Sequence, residues 1–144
     1  MDDDLDEETE EQWCAAQREG VLSYLVGQGF VSPNVGDWPA WHVAPMVAVW
    51  AVESQKQPGW VGWWAISGDL PTDYVTCAKD RSPRQAVYDI GRRWRDAAAL
   101  WAHGKRCENM SLGSQDDEKE LAPLLAIRAE LLLDFASNDS IWTD

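Results

Sequence analysis

At 144 residues, 45% hydrophobic and 26% charged, the chain has the size and composition of one compact globular domain, which excludes a disordered or fibrous chain. Folding at this length hides roughly 68–70% of the surface of the extended chain, so a core needs neither disulfides nor metal. Twelve basic residues against 25 acidic ones give a net charge of −13, which argues against nucleic-acid phosphates and anionic lipid as main partners and favours basic or neutral ones.

The first eleven residues, MDDDLDEETEE, hold eight acids and no base, and without them the net charge falls from −13 to −5. Like charges at that density repel and stay solvated, so residues 1–11 are expected to be a disordered acidic lead-in to a single globular domain at 12–144. No basic region and apolar stretch of a signal peptide is present, and no apolar run approaches the roughly 20 residues that span a bilayer. Cys14, Cys77 and Cys107 are an odd, widely spaced set that fits a reducing compartment. A cytoplasmic location follows as the expectation.

Thr9-Glu10-Glu11-Gln12 has the pattern of a capping box and predicts a first helix running to about Gln28, where Gly27 and Gly29 offer the positive φ that ends helices. The stretch Phe30–Trp41, with Pro33, Gly36 and Pro39, reads as loop. Met46–Ser54 and Trp60–Ser67 are apolar on both alternating faces and flank the turn Ser54–Gly59, which predicts a hairpin buried on both sides, with a further short strand at about Tyr74–Cys77. Ser82-Pro83-Arg84-Gln85 combines an N-cap, Pro at the first helical position and a capping-box Gln, and Gly104 follows the end of that second helix. Its stripe of Val87, Ile90, Trp94, Ala97, Ala98 and Trp101 faces a core, and Gly91 on the stripe predicts close approach of a strand or another helix. A third helix is expected over about Glu118–Ala136, with Pro123 in its first turn or kinking it, then an extended tail from Asn138. The predicted class is α+β: a small antiparallel sheet of two to four strands packed by about three helices, in the order α-β-β-(β)-α-α.

Ten tryptophans among the aromatics are the compositional anomaly, and six of them, Trp38, Trp41, Trp50, Trp60, Trp63 and Trp64, lie before and within the hairpin. Successive strand residues point to opposite faces, so Trp63 and Trp64 belong to different layers. A tryptophan left on the surface there is a natural hot spot for a partner. Gly68-Asp69-Leu70-Pro71-Thr72-Asp73-Tyr74 leaves the second long strand as a braced loop that puts Asp69, Asp73 and Tyr74 at one end of the sheet. The same side chains also suit a structural turn, since Asp and Thr oxygens accept backbone N–H groups.

Arg128 falls within the apolar stripe of Leu121, Leu124, Leu125, Leu131, Leu132 and Phe135, and Arg18 falls among Cys14, Val21 and Leu25. A charge on such a face must snorkel to the edge, pair with a buried acid, or face a cavity that takes an anion. An Arg and carboxylate cluster beside the Gly68–Tyr74 loop is therefore one candidate binding site, and Trp63, Trp64 and His42 complete the set. No P-loop, dinucleotide-binding glycine pattern, H-E-x-x-H or G-x-S-x-G occurs. His103 suits the end of a helix by its dipole, and His42 suits a hydrogen-bonded loop. Three cysteines and two histidines so far apart do not have metal-ligand spacing, so no catalytic residue, metal or cofactor is assigned.

The segments WPAWHVAPMVAVWAVES (38–54), PGWVGWWAISGDLPTDYV (58–75), SPRQA (82–86) and LAPLLAIRAELLLDFASNDSIW (121–142) make the chain resemble a bacterial domain-of-unknown-function family, number 4826. The resemblance implies a small, acidic, cytoplasmic bacterial protein about one domain long, with no catalytic residues to carry over. The functional expectation is a non-enzymatic interaction module, inhibitor or immunity-type, that binds a basic or neutral protein through acidic and tryptophan-bearing surface. The alternatives are a small-ligand site or enzyme at the Gly68–Tyr74 loop with the stripe arginines, and a homodimer through the tryptophan face.

Overall fold

The computed structural model describes residues 6–108, 110 and 114–142, apart from the side chain of Lys79. The fold is α+β, with three α-helices and a four-stranded antiparallel sheet, and the chain divides into two compact units, Met1–Pro83 and Arg84–Asp144.

The first unit opens with α1, Glu7–Gly27, which begins inside the acidic stretch, so residues 7–11 are helical. The cap is Asp6, not the expected Thr9: the Asp6 carboxylate accepts the Thr9 backbone N–H at 2.7 Å, and Glu7, Glu8 and Glu10 in the first turn favour the positive end of the helix dipole. Residues 1–5 of the lead-in lie outside the described residues. The helix closes on a Schellman motif, with the Phe30 N–H bonded to Leu25 O, the Gly29 N–H bonded to Val26 O, and Gly29 at φ +100°. Leu25 and Phe30, brought together by that motif, pack in the same core cluster.

The sheet is a meander in the order β1 (Trp41–Val43), β2 (Val47–Glu53), β3 (Val61–Gly68) and β4 (Asp73–Thr76). Strands β2 and β3 stand where runs apolar on both faces predicted them, and β4 falls within a residue of the short strand expected at about Tyr74–Cys77. Strand β1 is additional; it lies at the end of the expected loop, has only three residues, and turns into β2 through Ala44-Pro45-Met46 with a cis Ala44–Pro45 bond. Three residues are too few to show a period. The α1 residues Cys14, Val21 and Leu25 bury against Ala48, Trp50, Val52 and Ala65 of the sheet. Trp50 sits opposite Ala65, whose small side chain leaves room for the indole, and its Nε1 donates to Ser67 Oγ at 3.1 Å with both groups buried. Val47, Val49 and Ile66, of the alternate set, are buried as well, as the two-sided hairpin predicted.

Two glycines shape β3. Gly62 is the extra residue of a bulge between the pairs Val52↔Trp63 and Glu53↔Val61, and a Cβ there would come 2.8 Å from Ser54 Cα. Gly68 ends the strand at φ +140°, where a Cβ would collide with the Met46 carbonyl.

The second unit pairs α2, Pro83–Ala102, with α3, Gln115–Ser137. The predicted α2 stripe is buried throughout, and Gly91 meets α3: a Cβ added there would lie 3.1 Å from Leu132 Cβ. Helix α3 starts earlier than expected, on a capping box between Ser114 and Asp117. Its buried stripe is Glu118, Ala122, Leu125, Ala129, Leu132 and Ala136, so Leu124, expected in the core, is 49% exposed. Three of these six are alanines, and Gly91 of α2 supplies the space that Leu132 and Leu133 fill. Pro123 lies inside α3, beyond its first turn, and its side faces solvent. Glu118 is buried and is answered by the Arg106 guanidinium at 3.4 Å. The expected extended tail is instead fastened through residue 142: a 3-10 turn spans Asp139–Ile141, Arg84 donates to Ala136 O at 2.7 Å and pairs with Asp139 at 2.6 Å, and the Trp142 indole N–H donates to Phe135 O.

Candidate functional site

A concavity within the first unit lies at the end of the sheet where β3 begins. It is a cleft of about 910 Å³ whose floor is Val61–Trp64, with the 54–60 turn as one wall and the segment from Thr76 to Arg81 as the other.

The turn wall is built by its own hydrogen bonds. Ser54 Oγ accepts the backbone N–H groups of Lys56 and Gln57 at 3.2 Å each, the Ser54 N–H donates to Trp60 O, and the Trp60 N–H donates to Gln57 O. Glu53 closes the base of the turn, with Asn34 Nδ2 on Oε1 at 2.9 Å and the Gly59 N–H on Oε2 at 2.7 Å. These two donors, Asn34 first, hold the Glu53 carboxyl below its ordinary range. The fixed turn carries Trp60, 67% exposed, at the mouth of the cleft.

The opposite wall is equally well tied. Trp64 Nε1 donates to Arg81 O at 2.6 Å, the Cys77 thiol donates to the same carbonyl at 3.4 Å, and Arg81 Nη1 returns to Thr76 O at 2.9 Å. The Cys77 N–H bonds to Gly62 O, which stitches this wall to the floor. Trp63 and Trp64 point to opposite faces of β3, as alternation requires: Trp63 packs edge-on against Phe30 with centroids 4.8 Å apart, whereas Trp64 is buried on the other face. The cleft therefore offers an exposed indole, a half-open Val61, the amides of Gln55 and Gln57, and the cations of Lys56 and Arg81.

Of the residues singled out from the sequence, only Trp63 and Trp64 line this cleft. Asp69, Asp73 and Tyr74 lie at the other end of β3, because β4 runs antiparallel and returns towards the cleft only at Thr76. There the Asp73 carboxylate accepts the Tyr74 backbone N–H at 2.8 Å, the Asp69 N–H donates to Met46 O, and the Tyr74 ring packs edge-on against Tyr24 and Phe30. Arg18 anchors the loop after α1: its Nε donates to Gly36 O at 3.0 Å and its Nη2 to Val35 O at 2.8 Å, with exposed Asp37 3.7 Å away. Backbone carbonyls thus answer this charge. His42 Nε2 lies 2.6 Å from Glu10 Oε2, and its ring meets Trp38 edge-on at 5.3 Å, so it joins β1 to the first turns of α1. Arg128 is half-buried on α3.

Trp60, Lys56, Cys77 and Arg81 are the cleft residues that reasoning from the sequence did not assign. The available signal was the Gly59-Trp60 step, a bulky indole at the end of a polar turn and before the bulge that displaces β3. Burial and the charge of nearby Glu10 raise the pKa of the Cys14 thiol, which suits a core residue rather than a nucleophile. Among the described residues no group of three or more His, Cys, Asp or Glu could hold a metal ion, and no helix is long and apolar enough to cross a membrane.

An α+β chain with a tryptophan-bearing cleft at one end of a meander sheet is thus the class of protein defined by the fold and the site. The chain belongs to the family described as domain of unknown function DUF4826, whose model matches residues 7–142. No curated protein and no solved structure matches it.

Proposed function

We propose that the chain is a non-enzymatic interaction module of the bacterial cytoplasm, inhibitor or immunity-type, that engages a partner protein at the Trp60 cleft. The observation that carries this reading is the exposure of Trp60 at the mouth of a cleft whose two walls are fixed by hydrogen bonds. An exposed indole on a preorganised support loses little freedom on binding and contributes a large apolar area, the character of interface hot spots. The net charge of −13 favours encounter with a basic or neutral partner, and the exposed Asp6, Glu7, Glu8 and Glu11 at the start of α1 carry part of it.

The test is quantitative capture from native extract by the full chain, by Trp60→Ala and by Trp38→Ala. Trp38 is also exposed, yet it lies outside the cleft. The proposal expects a stoichiometric partner that is lost with Trp60→Ala and kept with Trp38→Ala. Equal capture by all three forms would overturn it.

A further inference from the structure

We propose, resting on the reading of the Trp60 cleft as a docking site, that the element it accepts is an acidic segment of the partner protein that carries a bulky apolar side chain. The local charge supports this. Residues 6–83 contain eleven acids and four bases, yet the described lining of the cleft carries Lys56 and Arg81 against Asp80, while Glu53 at the base of the turn spends its carboxylate on Asn34 and the Gly59 N–H, so the cations are locally no longer outnumbered.

Within the first unit, the acidic run at the start of α1 is placed elsewhere. Glu10 at the start of α1 contacts His42 on β1, and β1 is the opposite edge of the sheet from β4. Three strand spacings separate those edges by about 14 Å, whereas exposed charges are screened over about 8 Å at physiological ionic strength. The acids at the start of α1 therefore weigh little on a segment bound in the cleft, where the lining charges and Glu53 are nearer.

Each part of the cleft then has a counterpart on the segment. The exposed Trp60 ring and half-open Val61 receive an apolar or aromatic side chain. Lys56, on the turn, and Arg81, whose guanidinium is positioned by the Thr76 carbonyl, receive the carboxylates from opposite walls. The side-chain amides of Gln55 and Gln57 suit the polar backbone of an extended segment. A basic segment would place its charges against both cations.

The probes are capped hexapeptides with a central Leu-Phe pair flanked by two Asp, two Asn or two Lys on either side, together with benzoate as a free aromatic anion, all titrated into the isotopically labelled full chain. The readout is the Trp60 indole N–H resonance, assigned by its absence in Trp60→Phe. The Asp peptide is expected to shift the Trp60 indole and the Gly62 amide and to bind at least about fivefold more tightly than the Lys peptide. High salt should narrow that gap, and Lys56→Glu, a substitution on an exposed turn, should abolish it. Equal or tighter binding of the Asn or Lys peptide overturns the acidic-segment inference and leaves the docking site standing. Benzoate binding as tightly as the Asp peptide overturns it in favour of a small anion. If no peptide moves Trp60, the inference falls, and the docking reading falls with it only if Trp60→Ala also captures the partner undiminished.

Discussion

Replacing Ser67 with alanine removes the acceptor of the Trp50 indole N–H in a place with no water to take over, since Trp50 is 0% and Ser67 2% exposed. A buried donor left in that state costs about 1–3 kcal/mol. Trp50→Phe keeps an aromatic body beside Ala65 but removes the N–H and leaves unfilled volume, at a cost of about 2 kcal/mol, roughly half the loss typical of full truncation to alanine. In the double variant both partners are gone and no N–H is orphaned, so the combined loss should fall short of the sum by about 1–2 kcal/mol. Urea unfolding followed by far-ultraviolet circular dichroism gives the four free energies, compared at a common denaturant slope. Additivity within about 0.3 kcal/mol would refute the claim that this hydrogen bond fixes the indole between β2 and β3.

The glycines of β3 and of the turn make a contrasting pair. Gly68→Ala forces a Cβ into the Met46 carbonyl at φ +140° and should cost at least about 2 kcal/mol, whereas Gly59→Ala at φ +89° meets nothing within 4 Å and should cost only about 1–2 kcal/mol of backbone strain; equal losses in denaturant melts would contradict the collision. The lowered Glu53 pKa makes a pH prediction: its contribution is present above the ordinary carboxyl value of 4.5 and is lost as pH falls through the lower folded value. The stability difference between wild type and Glu53→Gln should therefore shrink below pH 4.5, and a difference that grows on acidification would reverse the sign. Cys14, buried and with a raised pKa, should resist alkylation in the native protein while half-buried Cys77 and Cys107 react, as read by mass spectrometry of intact and digested chains. Arg84→Ala should raise hydrogen exchange at residues 138–142, where the guanidinium now holds Ala136 O and the Asp139 carboxylate.

The elements that could be read from the sequence are those whose signals are local. Ser82-Pro83 starts α2, and the continuous apolar runs give β2 and β3. Strand β1 was hidden because its three residues lie between Pro39 and Pro45, and the Asp6 cap was hidden because eight acids in eleven residues suggest solvation before structure. The α3 stripe was misjudged because leucine carries more hydrophobic weight than alanine, whereas the buried line alternates the two as Ala122, Leu125, Ala129, Leu132 and Ala136. The site follows the same division. Alternation placed Trp63 and Trp64 on opposite faces, but which of ten tryptophans stays exposed is decided by the 54–60 turn and the Gly62 bulge, which act across strands. Arg18 was weighed against acids, solvent and ligand, while the Val35 and Gly36 carbonyls that hold it lie some seventeen residues away, on a loop with no pattern to announce them.

The most direct test of the Trp60 cleft as the docking surface is a residue-resolved oxidative footprint of the chain, alone and in the captured complex. Both Trp60 and Trp38 are exposed in the free chain and serve as reporter and control. The proposed docking predicts that Trp60 becomes protected in the complex while Trp38 oxidises as before. Unchanged oxidation of Trp60 within a stoichiometric complex would contradict it.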